Sequence, residues 1–321
     1  MSTTWNSIPV PRPLQQLFDS VPLVTYDANA LPTRAQSNTL CQLPTLYVFA
    51  SERDARLGLP SYNPSCLKWQ TFLKLAGVEF RIVPSTNHAS PTGALPFLLP
   101  VRTSPTTTAA AAASSAPIPA SRLQRYALDH GSRPPPPNAK TLRLDAYQAL
   151  LDVPIRNAWL HTLYLEPENS PLLEKLYVTW ASSSGWVQGT IRHQLGRAAE
   201  GEILKTSSSL SAAGAGELDE DAVYSAARDA LNALASLLAE SETGWFFSAT
   251  APTLFDASVF AYTHLMLQVL SEADGEDAAR LGVLVGQAGS GELRSHQQRI
   301  YQMLWPSQIW SEGESQADKT Q

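Results

Sequence analysis

The sequence predicts an α/β unit followed by an all-helical one, on two observations. Residues 45–50 (TLYVFA) are a β-branched and aromatic run and residues 78–83 (VEFRIV) alternate, so with the amphipathic stretch between them they read strand, helix, strand. Beyond residue 140 the apolar residues recur at helical spacing almost throughout. A chain of 321 residues is long enough to give each unit its own core.

Composition narrows what such a chain does. It is 44% hydrophobic and 16% charged with 24 prolines, a globular balance with extra proline-rich connection. A net charge of −6 gives no electrostatic support to a general affinity for nucleic acid. The two cysteines, Cys41 and Cys66, make neither a disulfide framework nor a zinc spacing and favour a reducing compartment. No window reaches the roughly 18 apolar residues of a membrane-spanning helix. The N-terminal MSTTWNSIPVPRPLQQLFDS lacks an apolar signal core and an arginine-rich amphipathic pattern, so export and matrix import are both disfavoured.

Residues 1–44 carry Pro9, Pro11, Pro13, Pro22, Pro32 and Pro44, and are expected as an extended arm with a helical turn or two at 13–19. An α/β domain follows over 45–100, opening on the TLYVFA strand. Its helix starts at Asn63, a good N-cap with Pro64 at the first helical position, and stops at Gly77 as a left-handed C-terminal residue. Cys66, Trp69, Leu73 and Ala76 recur at helical spacing, and Leu67, Phe72 and Leu75 widen the apolar face, so this helix is mostly buried. VEFRIV comes next, with Val78, Phe80 and Ile82 on one face. A βαβ unit makes the two strands parallel with a right-handed crossover. Residues 94–100 (ALPFLLP) supply a third strand. Just before it, His88, beside Asn87 and ahead of Ser90 and Pro91, is expected to fix a turn by side-chain to backbone bonds.

Residues 101–139 change character to TSPTTTAAAAASSAPIPAS and a run of prolines, which bury too little apolar surface to offset their ordering entropy. A flexible basic insertion is expected, with Arg102, Arg122, Arg125, Arg133 and Lys140 against Asp129 alone. A solvated loop is the plain reading, and a contact with an acidic partner or lipid headgroups is the other. The helical domain is expected over 140–310 and a polar tail over 311–321. Within it Tyr224, Ala227, Leu231, Leu234 and Leu238 form one stripe. Thr253 at an N-cap with Asp256 three residues on reads as a capping box in which aspartate replaces the usual glutamate. Trp69, Trp159, Trp180 and Trp245 are expected in the core. The histidines occur singly, with no i, i+4 pair and no Cys-His cluster, so neither metal nor cofactor is expected.

A βαβ unit, a strand with proline at its start and then an all-helical domain is the order of the glutathione-transferase fold, whose N-terminal half is thioredoxin-like. That resemblance implies a cis peptide at Pro96, and likens the helix opening PTLFDASVFAY, with Thr253 and Asp256, to the capped core helix of the transferase C-terminal domain. NPSCLKWQTFLKLAGVEFRIVPSTNHASPTGALPFLLP and the arm around WNSIPVPRPLQQLFDSVPLVTYDANALP resemble the metaxin family, in particular its second-metaxin type. They are similar to the small peripheral subunit of the fungal mitochondrial sorting and assembly machinery. The resemblance implies a non-enzymatic subunit on the cytosolic face of the mitochondrial outer membrane. Its implied partners are a BamA-like barrel subunit, a second metaxin-like subunit and transient β-barrel precursors, with peripheral membrane association. Asn87, His88, Leu95, Arg122 and Arg125 are the candidate partner contacts.

An enzyme is the alternative that the fold keeps open. A glutathione transferase needs a hydroxyl or cysteine near the start of its first helix to lower the cofactor thiol pKa, and a polar pair after its third and fourth strands. Ser51, Ser65 and Cys66 lie in the right region, and a cysteine at a helix N-terminus is open to pKa lowering by the macrodipole. Against this, Cys66 begins the apolar stripe of its helix, where a buried cysteine serves as a small hydrophobe. The stretch after LPFLLP dissolves into the insertion, so the glutathione site is expected to be unbuilt. A fold-alike scaffold of a translation complex is a third class, disfavoured by the acidity.

Overall fold

The computed structural model describes residue 12 and residues 43–101, 116–133, 135–136, 142–206, 218–247, 250–270 and 276–306. Nearly all of the arm, Arg102, Lys140, most of the low-complexity run and the tail lie outside the described residues.

The N-terminal unit is a four-stranded sheet, β1 (Thr45–Val48), β2 (Arg81–Pro84), β3 (Phe97–Leu99) and β4 (Ile118–Pro119), in the order β2-β1-β3-β4. β1 and β2 are parallel, with Leu46 opposite Ile82, as the strand-helix-strand pattern requires. β3 runs antiparallel to β1, pairing Tyr47 with Phe97, whose rings stack at 4.5 Å. Helix α1 (Glu52–Leu57) follows β1, and α2 (Pro64–Leu75) forms the crossover. Its Cys66, Leu67, Phe72 and Leu73 are buried, with Trp69 and Leu75 packed partly buried against the sheet-side cluster.

The stop of α2 sets where β2 begins. Gly77 takes φ 69°, its N–H donates to Lys74 O, and Val78 N–H donates to Leu73 O, a Schellman arrangement. Val78 is thus spent on closing the helix, and the strand expected over 78–83 starts three residues later, at Arg81.

The expected flexible stretch 101–139 needs a correction over residues 118–130. There β4 and α3 (Ala120–His130) complete the sheet domain, because Leu123 and Ala127 bury fully against its core. The end of α3 is locked to the end of α2. Arg133 N–H donates to Ala76 O at 2.9 Å, Ser132 Oγ donates to Gly77 O at 3.0 Å, and Gly131 leaves no room for a Cβ beside Ala76 O. Arg122 and Arg125 are therefore exposed positions on a packed helix, and Arg125 is paired with Asp129 at 2.8 Å.

The helical unit opens with α4 (Leu142–Leu150) and α5 (Arg156–Tyr164), joined through a π turn over Leu151–Ile155 that contains Pro154. Proline removes a donor from the ladder, and a wider turn accommodates the loss. A short α6 (Ser170–Leu173) with a π turn over Glu174–Val178 leads to α7 (Gly185–Thr206), α8 (Glu220–Ala239), α9 (Leu254–Gln268), α10 (Glu276–Gln287) and α11 (Glu292–Leu304). All five residues of the Tyr224 to Leu238 stripe are buried. Helix α9 is apolar on every side and buried accordingly, with Ala257 in the sheet-domain cluster and Phe255, Phe260 and Leu265 in the helical one. It packs on α2, so one helix joins both cores. Trp305 adds a second tie, donating from Nε1 to Gly58 O at 2.8 Å under the Lys74 ammonium. Trp159 and Trp245 are core, whereas Trp180 is 53% exposed, a correction explained below by where its helix ends. Among the described residues no helix is long and apolar enough to cross a membrane.

Candidate functional site

The residues with any claim on chemistry converge where β1, the start of α2 and the helical unit meet. Ser51 is the N-cap of α1, its Oγ accepting from Asp54 N at 3.1 Å. The loop between α1 and α2 is held by Gln70, whose side chain accepts from Ser61 N and donates to Leu59 O, both at 2.8 Å. Ser61 in turn donates to Phe49 O, fixing the end of β1 to the same loop. Asn63 caps α2 through Oδ1, which accepts from Cys66 N at 3.2 Å, while its Nδ2 donates to Tyr177 of the helical unit.

Cys66 is fully buried. Burial pushes its thiol up to about 12, and hydrogen bonds from the Phe49 backbone and Ser61 only partly offset this. Next to the start of α2, Phe49, Tyr62 and Tyr164 surround Tyr177 with centroids at 5.3, 5.2 and 5.9 Å. Burial raises all three phenols, Tyr164 to about 12, because a phenolate would lose its hydration there.

The turn before β3 closes differently from the sequence expectation. Asn87, not His88, makes the side-chain to backbone bond, its Oδ1 accepting from Leu95 N at 3.0 Å across the short helical turn Asn87–Ala89. Ser90 Oγ donates to Ala94 O at 2.6 Å, and Gly93 supplies the φ of 74° that the turn needs. The Leu95–Pro96 peptide is cis. His88 is exposed and Leu95 only 5% exposed. Of the five candidate contacts, the fold joins Asn87 to Leu95, while Arg122 and Arg125 follow the opposite edge strand of the sheet.

A second polar cluster escapes sequence reasoning. His161 Nδ1 lies 3.1 Å from Glu166 Oε1 and 3.4 Å from the Tyr224 hydroxyl, and one ligand atom each from His161, Glu166 and Glu220 fall within 4.8 Å of one another. Arg280 stacks on Tyr224 at 4.1 Å and bonds Glu220 at 3.3 Å, so the cluster carries its own internal cation. Its members come from α5, the turn after it, α8 and α10, and sequence spacing does not bring these segments together.

The model for the glutathione S-transferase N-terminal domain matches residues 64–169, and the model for the glutathione S-transferase C-terminal domain matches residues 227–300. The chain has the glutathione-transferase fold. Solved structures of glutathione transferases are similar to it at low identity. Glutathione S-transferase III in its apo form is 16% identical, over 81% of this chain and 91% of that one, with a TM-score of 0.38. Transferase GSTFuA2 from Phanerochaete chrysosporium is 14% identical over 82% and 99%, at 0.49. A transferase from Xanthobacter autotrophicus Py2 is 17% identical over 80% and 92%, at 0.35. The domain matches carry the assignment. Among curated proteins nothing matches.

Several of the groups that a glutathione site would use here are engaged within the protein. Beside the cis proline the Leu95 N–H is taken by Asn87, the Ser51 hydroxyl is engaged as a helix cap, and the Cys66 thiol is buried. Of the groups that the transferase reading would use, these three have a partner or a cover inside the protein, whereas Ser65, in the first turn of α2, is exposed.

Proposed function

We propose that this chain is a non-enzymatic interaction subunit of the mitochondrial outer-membrane sorting and assembly machinery. It supports insertion and folding of β-barrel precursors from the cytosolic side by capping a BamA-like barrel subunit, beside a second metaxin-like subunit, or by binding the precursor signal. The observation that carries this reading is the occupied backbone before the cis proline: Asn87 Oδ1 takes the Leu95 N–H from within, which favours a protein-binding use of the fold over a thiol-binding one. The metaxin-like run through residues 63–100 supplies the direction. The job is physically coherent, because a strand entering a bilayer carries unpaired backbone groups that must be held until the barrel closes.

The test is affinity purification of the tagged full chain from detergent-solubilised outer membranes. Recovery with a membrane barrel protein and a second transferase-fold chain is expected. Recovery alone from cytosol, with retention on glutathione resin and conjugating turnover, overturns the reading.

A further inference from the structure

We propose that the turn bearing Trp180 and Trp186 is a contact for an anionic phospholipid surface. It lies between the π turn over Glu174–Val178 and the start of α7. Trp186 is 92% exposed, Trp180 53% and Val187 42%. The two indoles flank residues 181–185, and that linker is braced rather than slack. Trp180 Nε1 donates to Leu176 O at 3.3 Å, Ser182 Oγ accepts from Ser184 N at 3.1 Å, and Gln188 Nε2 donates to Ser182 O at 2.7 Å. The tip is presented already ordered, so a contact there costs little further entropy.

The size and charge of the tip choose the occupant. Two largely exposed indoles and a valine offer on the order of 400 Å². A stable protein interface takes about 800 Å² from each partner, so the apolar tip alone is too small for a second copy. A bilayer sets no such threshold, because each indole partitions separately into the headgroup layer. Over residues 174–200 the cations Lys175, Arg192 and Arg197 outnumber the carboxylates Glu174 and Glu200, in a chain of net charge −6. Trp186, Thr190, His193 and Arg197, spaced four, three and four residues apart, are exposed along one face of α7. Arg192 is paired with Glu174 at 2.9 Å and Arg197 with Glu200 at 3.1 Å. Surface pairs of this kind are weak and exchange readily for lipid phosphate. An aromatic tip with a net positive flank matches an anionic headgroup layer.

This goes beyond the assembly reading and needs no barrel subunit, so the two fail separately. The full chain is floated with vesicles of phosphatidylcholine mixed with phosphatidylserine, and with phosphatidylcholine alone. The wild type is expected to float with the anionic vesicles, its tryptophan emission quenched by brominated acyl chains. Trp180→Ser combined with Trp186→Ser is expected to lower the partition by at least about tenfold. Arg197→Glu is expected to lower it severalfold, on the order of fivefold for each cation lost, on anionic vesicles only. Melting curves of the variants should match the wild type, since the side chains are exposed. A wild type that stays in the aqueous fraction, or a double variant that floats as well as the wild type, overturns the proposal. So does self-association by light scattering that Trp186→Ser abolishes, which would assign the tip to a second copy.

Discussion

Asn63 Nδ2 donates to the Tyr177 hydroxyl at 3.2 Å, while Oδ1 of the same side chain caps α2. One amide thus closes a helix of the sheet domain and ties it to the helical domain. Asn63→Ala should lose both, about 1 kcal/mol for the cap and about 1 kcal/mol for the interdomain bond. Asn63→Ser keeps a capping oxygen but is too short to reach Tyr177, so it should lose only about half. Urea midpoints of the two variants check this: equal losses would show that the cap contributes nothing, and an Asn63→Ser protein as stable as wild type that the interdomain bond contributes nothing.

Cys66 should behave as an inert thiol. With its pKa pushed up to about 12 by burial it holds almost no thiolate near neutral pH. Iodoacetamide should leave it unmodified in the folded protein and label it in denaturant, with peptide mass mapping separating it from Cys41. Rapid alkylation of folded Cys66 would reopen the transferase reading.

What was legible in the sequence was local chemistry. Asn63, Pro64 and Gly77 bound α2, and Thr253 with Asp256 opens α9, because caps are written within a few consecutive residues. Helix α3 escapes the sequence because its apolar signal is short, Leu123, Tyr126 and Ala127, and sits between alanine-rich and proline-rich runs that read as disorder. Trp180 looks like core because LLEKLYVTWAS keeps helical spacing to its end, yet the π turn finishes at Val178 and leaves the indole outside. The Asn87 to Leu95 bond and the meeting of His161 with Glu166 and Tyr224 depend on how separate segments pack, and spacing carries no record of that.

His264 gives the protein a pH dependence of known sign. Its ring lies between Phe260 and Tyr301, at 5.1 and 5.3 Å, and Gln297 Nε2 donates to Nδ1 at 2.9 Å. Burial lowers its pKa to about 4, against about 6.5 in the unfolded chain. Above pH ~6.5 both states are neutral and its contribution is complete. As pH falls from about 6.5 to about 4, the unfolded chain takes up a proton that the folded one refuses, and stability drops by up to about 3 kcal/mol. Urea melts at about pH 7.5 and about pH 5 should show a steeper loss for the wild type than for His264→Gln. Parallel losses would refute the assignment.

Asp256 holds the start of α9 through four hydrogen bonds. Oδ1 accepts from Phe246 N at 2.9 Å and His296 Nε2 at 3.1 Å, and Oδ2 accepts from Thr253 N and Thr253 Oγ1, both at 2.8 Å. Both Asp256 and His296 side chains have 0% exposure, so water replaces none of these bonds. Asp256→Asn keeps the shape but turns one acceptor into a donor. If the amide nitrogen faces Thr253, the hydroxyl can rotate to accept while the backbone N–H cannot. If it faces the other way, it meets the Phe246 N–H. Either orientation strands a buried donor, so a loss of about 2 kcal/mol is expected. Asp256→Ala removes all four acceptor contacts and leaves His296 unpaired, for a loss of about 3 to 5 kcal/mol. Thr253→Ala removes the hydroxyl that caps Phe255 N and donates to Asp256 Oδ2 but keeps the backbone bond to Asp256, and should cost about 1 kcal/mol or slightly more. The order Thr253→Ala, Asp256→Asn, Asp256→Ala in thermal melts is the expected result. An Asp256→Asn protein as stable as wild type would mean that shape rather than charge holds α9 in place.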